Sequence, residues 1–325
     1  MAKNSELPFI SIITLNWNGK QFLDKLLPLL ESQTYPRDLY EIIVLDNDST
    51  KDDSVSYVKQ NFPNIVLIEN NQNDGFARGC NLAMAKAKGD YFMLINNDTM
   101  PSKDWLEKIV DCAKDEEHVG AVVSKVLFAN RGKGGTIINN AGSILHPNKP
   151  WPVEEIGANK EDGPEYSKRR EITALCGTSL LLSREMLNDI GLFDESFFMY
   201  FEDADLSWRG QKAGWKFYYS PDSVVLHEHS GSSKEHSDFW TFYVTRNRLL
   251  IMWKHASLVL AIRVYLTFLK EFLVIPIIHG IMGRERRHQL HMVKLGSRIN
   301  LSFWMKLTSV LMRRWHIKSE YRLPS

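Results

Sequence analysis

Three clusters of residues have the types and spacing that chemistry needs. Asn96-Asn97-Asp98 closes a short apolar run, Tyr91-Phe92-Met93-Leu94-Ile95. A carboxylate beside amide oxygens suits a hard divalent cation that also touches phosphate oxygens. A lone acid there could equally be a helix cap or turn residue, and Pro101 with the helical pattern from about Lys103 fits that role. The second cluster, Glu202-Asp203-Ala204-Asp205, follows Phe197-Phe198-Met199-Tyr200-Phe201. An apolar wall disfavours a charged carboxylate and prepares it to take a proton from a hydroxyl, so Glu202 and Asp203 are candidates for acid–base work. Asp205 precedes Arg209 by four residues, the spacing of a supporting helical ion pair. In the third cluster a β-branched run, Val224-Val225-Leu226, ends at His227-Glu228-His229. Both histidines fall on one side of an extended segment, and His227 paired with Asp98 would supply a nitrogen ligand to a metal.

These clusters lie far apart in sequence and need a scaffold to bring them together. Ile10–Leu15, Glu41–Leu45, Ile65–Ile68 and Tyr91–Ile95 are short and apolar. Between them come helical patterns, with Phe22, Leu23, Leu26, Leu27 and Leu30 on one face and a helix from about Phe76 to Ala87. Strands separated by helices predict an α/β fold, a mostly parallel Rossmann-like sheet flanked by helices. Ligands in such sheets bind beyond the carboxyl ends of the strands. Those ends are polar here: Asn16, Asp46, Asp48, Asn73, Asn96, Asn97 and Asp98. Residues 129–170, rich in Gly, Asn and Pro, read as a long surface excursion able to serve as a flap over the site, and Ile172–Leu182 as a further buried strand.

Composition sets the outer limits. With 44% hydrophobic and 24% charged residues, the 325-residue chain is that of an ordered globular protein. Cys80, Cys112 and Cys176 offer neither a disulfide framework nor a metal cluster, which fits a reducing compartment. Met1–Glu6 lacks an apolar leader core, so a cytoplasmic protein is expected. The net charge of +1 hides an asymmetry: residues 246–325 carry 15 Lys and Arg against 3 acids, leaving 25 against 36 in residues 1–245. This predicts a catalytic domain over 1–237 and a basic, apolar, helical extension over 238–325. The apolar run Ser257–Met282 is broken by Arg263, Lys270, Glu271 and Pro276, too often for a span of roughly 20 uncharged residues. With the basic cluster Arg284-Glu285-Arg286-Arg287 after it, the tail fits an anionic membrane surface, at the inner face of the cytoplasmic membrane. Packing on the main domain or in a homodimer interface is the alternative, and no nucleic acid partner is expected.

The motif order Thr14-Leu15-Asn16-Trp17-Asn18-Gly19, Val44-Leu45-Asp46-Asn47-Asp48-Ser49, Asn73-Asp74-Gly75-Phe76-Ala77-Arg78-Gly79, Asn96-Asn97-Asp98 and Glu202-Asp203-Ala204-Asp205-Leu206 resembles family 2 glycosyltransferases over roughly Phe9 to Trp253. It is most similar to the branch holding bacterial rhamnosyltransferases and galactofuranosyltransferases. The resemblance implies the glycosyltransferase-A fold and an inverting transfer from a nucleotide-diphosphate sugar, dTDP-rhamnose first, to a hydroxyl of a lipid-linked or cell-envelope glycan, with Mn2+ or Mg2+. It implies that Asp46 binds the nucleobase near Asn16, and that Asn73, Gly75, Arg78 and Gly79 shape the donor pocket. Asn97 would touch ribose or phosphate, Asp98 and His227 the metal, and Arg246 would lie near the diphosphate. Asp203 matches the family's base, with Glu202 beside it. Both leading positions of the family's Asp-X-Asp element are Asn here, which implies weaker metal affinity without donor. UDP-hexose or galactofuranose transfer and a non-catalytic nucleotide-sugar-binding module are the rivals. A nucleotidyltransferase would want a basic Gly-rich loop after the first strand, and a dehydrogenase would want Gly-x-Gly-x-x-Gly there; neither is present.

Overall fold

A computed structural model describes residues 7–114, 117–132, 135–228, 237–282, 286–312 and Leu323. Its first half alternates β1 (Ile10–Asn16), α1 (Lys20–Glu31), β2 (Tyr40–Asn47), α2 (Ser54–Asn61), β3 (Val66–Asn70), α3 (Gly75–Met84) and β4 (Tyr91–Ile95). β5 (Thr99–Pro101), α4 (Trp105–Lys114) and β6 (Val119–Phe128) follow. The remaining short strands are β7 (Ile138–Asn140), β8 (Ser143–Leu145), β9 (Val153–Glu155), β10 (Arg170–Ile172) and β11 (Ser179–Ser183). Then come α5 (Arg184–Ile190), α6 (Glu202–Lys212) and β12 (Lys216–His227). The main sheet runs β10-β12-β6-β11-β4-β1-β2-β3. β3, β2, β1 and β4 pair in parallel, as do β6 and β12, while β11 runs antiparallel between β4 and β6.

The central strands are apolar at successive positions because both faces of the sheet are covered. Ile12, Ile42 and Val44 pack toward Leu23, Leu26 and Leu27 of α1. Their neighbours Ile13, Ile43 and Leu45 pack on the opposite face, with Ala77, Cys80 and Ala83 of α3. The expected parallel α/β sheet flanked by helices is observed.

Two segments differ from expectation. The run Ile172–Leu182 is not one strand but β10 and β11 with a loop between them. Leu175 N donates to Ser207 Oγ (2.9 Å) and Gly177 N to Asp203 Oδ2 (3.1 Å), so α6 draws this backbone out of the sheet. Residues 129–170 carry structure of their own: β7 pairs with β6, β8 with β9, and Ile138 and Ala141 are fully buried.

The C-terminal part consists of α7 (Asp238–His255), α8 (Leu258–Leu269), a π-helical turn over Lys270–Val274, α9 (Ile275–Ile281) and α10 (Arg286–Met312). The widened turn directly precedes Pro276, whose ring and missing N–H disrupt an α-helical ladder. α7 packs on α6 through Phe197, Ala204, Trp208, Leu249 and Met252, and α8 and α10 cover it with Val264, Phe268, Leu295, Ile299 and Phe303. Among the described residues no helix is long and apolar enough to cross a membrane.

Candidate active site

The carboxyl ends of β1, β2, β4 and β12 open into one cleft of about 760 Å³, within the range of small-ligand sites. Asn16, Asn73, Gly75, Asn97, Asp98, Glu202, Asp203 and His227 all line it, although they are drawn from five separate parts of the chain.

The two acids are delivered by a strained loop. Phe198, Tyr200 and Phe201 have φ of 66°, 69° and 68°, left-handed values that cost ~1–3 kcal/mol for residues with side chains and persist only when neighbours fix them. Asn247 Nδ2 donates to the carbonyls of Phe197 (2.8 Å), Met199 (2.7 Å) and Tyr200 (2.7 Å). Arg246 Nη2 donates to those of Ser196 (3.0 Å) and Phe197 (2.7 Å). From the other side, the Phe76 and Ala77 amides donate to the Phe198 carbonyl at 2.7 and 3.1 Å. Gly75 makes that approach feasible: its φ is +74° and a Cβ would stand 2.5 Å from Phe198 O.

The chain emerges from this loop into α6, with Glu202 and Asp203 at its first turn. Asp203 Oδ1 accepts from Ala204 N (2.7 Å) and Oδ2 from Gly177 N (3.1 Å). Burial raises its pKa above the usual carboxylate range, with those two backbone donors pulling the other way. Burial raises Glu202 much further, and the charge on Asp203 adds to it. Glu202 Oε2 is buried without a hydrogen-bond partner among the described residues. Of the two, Glu202 is therefore the less readily ionised and Asp203 the more readily ionised carboxyl. Asp205 faces away: burial opposes its charge, but Lys254, Arg209 and His255 hold its carboxyl well below the ordinary range, and the expected ion pair to Arg209 is present at 2.9 Å.

Across the cleft, β5 pairs with the end of β12 and sets His227 opposite Thr99. His227 Nε2 stands 3.2 Å from Asp98 Oδ1, and its Nδ1 lies 3.4 Å from Asn139 Oδ1. Two ligands about 2.1 Å from a shared ion and at right angles stand ~3 Å apart, so this oxygen–nitrogen pair fits one divalent cation. The Asn139 contact helps orient the ring. Among the described residues no group of three or more His, Cys, Asp or Glu side chains that could hold a metal ion is found. His229 lies outside the described residues.

Four expected donor contacts do not line the cleft. Asp46 sits behind Asn16: its Oδ2 accepts from Asn16 Nδ2 (2.9 Å) and its Oδ1 from Ser49 N (2.8 Å), while Asn97 Nδ2 reaches Asn16 Oδ1 (3.2 Å). Arg78, one helical turn after Asp74, is drawn to Asp74 (3.3 Å) and Glu195 (3.8 Å). Gly79 lets α3 approach β1, since a Cβ would meet Leu15 Cδ1 at 3.0 Å. Arg246 is buried under the acidic loop, its pKa lowered to about 10 by desolvation.

The cleft also presents residues that motif spacing did not single out. Trp17 is half-exposed at the rim with Lys51 Nζ 5.9 Å from its ring centre. Arg131, bonded to Asn159 (2.7 Å), comes from the excursion. Tyr200 and Trp240 line the cleft as well. A Trp between two Asn at a strand end was the signal in the sequence for Trp17.

Residues 11–191 match the family described as Glycosyl transferase family 2. A similar protein is the N-acetylglucosaminyl-diphospho-decaprenol L-rhamnosyltransferase of Mycobacterium tuberculosis, 27% identical over 59% of this chain and 67% of the relative. By structure, the chain resembles the mannosyltransferase PcManGT from Pyrobaculum calidifontis in complex with GDP-Man and Mn2+ (TM-score 0.55, 18% identity, 95% of this chain and 86% of that one). It also resembles GalNAc-T7 with UDP, GalNAc and Mn2+ (TM-score 0.60, 17% identity), matching 77% of this chain but only 48% of that longer one.

Proposed function

The chain belongs to glycosyl transferase family 2, with a glycosyltransferase-A fold and a likeness to bacterial rhamnosyltransferases, and from that premise we propose a metal-assisted, inverting transfer of L-rhamnose from a dTDP donor to a lipid-linked glycan. The observation that carries this reading is the convergence of Asp98–His227 and Glu202–Asp203 on one cleft. A divalent ion held by Asp98 and His227 would neutralise charge gathering on the leaving diphosphate; the Mn2+ complexes of the two structural neighbours support such an ion.

The protein's own groups do the rest. Asn16, oriented by Asp46, and Asn97 offer amides to the nucleoside, while the Trp17 face is a platform for a base with Lys51 beside it. Asp203 takes the proton of the acceptor hydroxyl as it attacks the anomeric carbon. Attack from the face opposite the diphosphate inverts that carbon in one step, without an enzyme nucleophile. The relative's decaprenol-linked acceptor supports a lipid-linked glycan here, and the basic, apolar tail supports a reaction at the inner face of the cytoplasmic membrane.

Incubating purified protein and Mn2+ with dTDP-rhamnose, UDP-galactose or UDP-galactofuranose and a polyprenyl-diphosphate sugar tests the reading. We expect product from dTDP-rhamnose, and kcat reduced about 10²–10⁴-fold by Asp203→Asn with donor affinity retained. Full turnover by the variant would remove Asp203 from its role, and transfer from a UDP sugar alone would replace the donor.

A further inference from the structure

The helices after α7 form an antiparallel hairpin whose geometry carries a consequence for where the cleft faces. α8, the π-helical turn and α9 form one arm; α10 returns as the other. Gly280 lies against Gln289, with a Cβ on Gly280 standing 3.7 Å from Gln289 Cβ, and further along Tyr265 Oη donates to Asn300 Oδ1 (2.8 Å). The tip is thus formed by the end of α9 and the start of α10. α10 in turn runs parallel to α7: His291 bonds Asp238 (2.9 Å) at the first turn of α7, and further along both helices the Arg298 guanidinium lies 5.7 Å from the Phe242 ring centre. Trp240, in that same first turn of α7, lines the cleft. The hairpin tip and the Trp240 side of the cleft therefore share one end of the molecule.

The tip is apolar where a water-facing helix would be polar. Ile281 is 82% exposed, and Met282, Leu290, Ile277 and Ile278 are each about half exposed or more. Beside them Arg287, Lys294 and Arg298 are exposed. Charge decides what such a surface meets. Residues 246–325 hold 15 Lys and Arg against 3 acids, so two copies pressed together here would repel, whereas an anionic lipid surface attracts both the basic and the apolar groups.

We propose that this hairpin tip inserts its apolar residues into an anionic bilayer surface and so holds the Trp240 side of the cleft toward lipid-borne acceptors. The inference deepens the reading of the acceptor as lipid-linked and rests on it for its purpose, but binding is measured without turnover, so the two can fail separately.

The test is co-sedimentation of the full chain with phosphatidylcholine vesicles, with and without 30% phosphatidylglycerol. Two exposed positions are compared, Ile281→Asp at the tip and Val259→Asp at the far end of the hairpin. We expect binding only to the anionic vesicles, weakened by salt, reduced about tenfold or more by Ile281→Asp and kept by Val259→Asp. Equal loss in both variants, no binding by the unaltered chain, or a dimer in sedimentation equilibrium that Ile281→Asp dissociates would each overturn the proposal. Transfer to a water-soluble acceptor should be the same in the unaltered chain and Ile281→Asp; absence of transfer in both would count against the proposed activity, not against lipid binding.

Discussion

Asp203 stands between opposed influences: the Gly177 and Ala204 amides favour its carboxylate, and burial disfavours it and prevails. The charged form is the one that can take a proton, so kcat/KM should fall on acidification. Because the pKa is raised, that acidic limb should lie above the ordinary Asp value of about 3.9. Glu202 is buried against it, so the limb reports the pair and not one residue. A pH profile of kcat/KM with an acidic limb at or below the ordinary value would contradict the buried-pair picture. The opposite wall makes a separate prediction. Asp98→Ala removes the oxygen member of the 3.2 Å pair with His227, so donor affinity should lose its dependence on Mn2+, read by calorimetry with and without the ion; an unchanged dependence would move the metal elsewhere. Asp98, Asp203 and His227 were legible in sequence because each ends a distinctive apolar run. Asp46, Arg78, Gly79 and Arg246 lie off the cleft lining, since a motif fixes spacing but not which neighbour captures a side chain. Asp74, one turn before Arg78, and the carbonyls above Arg246 make those choices.

At the scale of elements, α6 must hold its first turn in the cleft while its length stays in the core. A fully buried ionic group does this. Lys254 of α7 meets Asp205 of α6 and Asp194 at 2.7 Å each, and Arg209 meets Asp205 at 2.9 Å while its other nitrogens reach the Ile190, Gly191 and Leu192 carbonyls. Replacing a whole buried ion cluster by apolar groups can be neutral, but removing one member strands the others. Lys254→Met should therefore lower unfolding free energy by about 3–5 kcal/mol in urea titrations; a loss under about 1 kcal/mol would mean the stranded carboxylates find water. Asp205 also fixes the sign with pH: its depressed pKa contributes stability that is present above its unfolded value and lost as pH falls below it. The sequence showed the Asp205–Arg209 spacing and so half of this cluster. Lys254 and Asp194 were not legible, because 60 residues separate them and no periodicity joins them.

For the whole molecule, the change of pattern after Ser237 suggests a line at 237/238 between an α/β body and a helical tail, with the basic excess lying in residues 246–325. Charge marks where surfaces change; it does not mark where the core ends. Leu249, Leu250, Ile251 and Met252 of α7 are fully buried, against a face that includes Phe197, Ala204 and Trp208. At ~1.5–3 kcal/mol for each buried side chain, those four alone rival the ~5–15 kcal/mol net stability of a typical protein. α7 also supplies Lys254 to the buried acids and Asn247 to the loop that presents Glu202 and Asp203. We therefore predict that a chain ending at Ser237 has no cooperative thermal transition and no measurable donor binding. Calorimetry and a nucleotide-sugar thermal-shift panel, run beside the full chain, check both. A folded, donor-binding 1–237 fragment would instead show that the sequence boundary divides two independent units, with α7 serving only the tail.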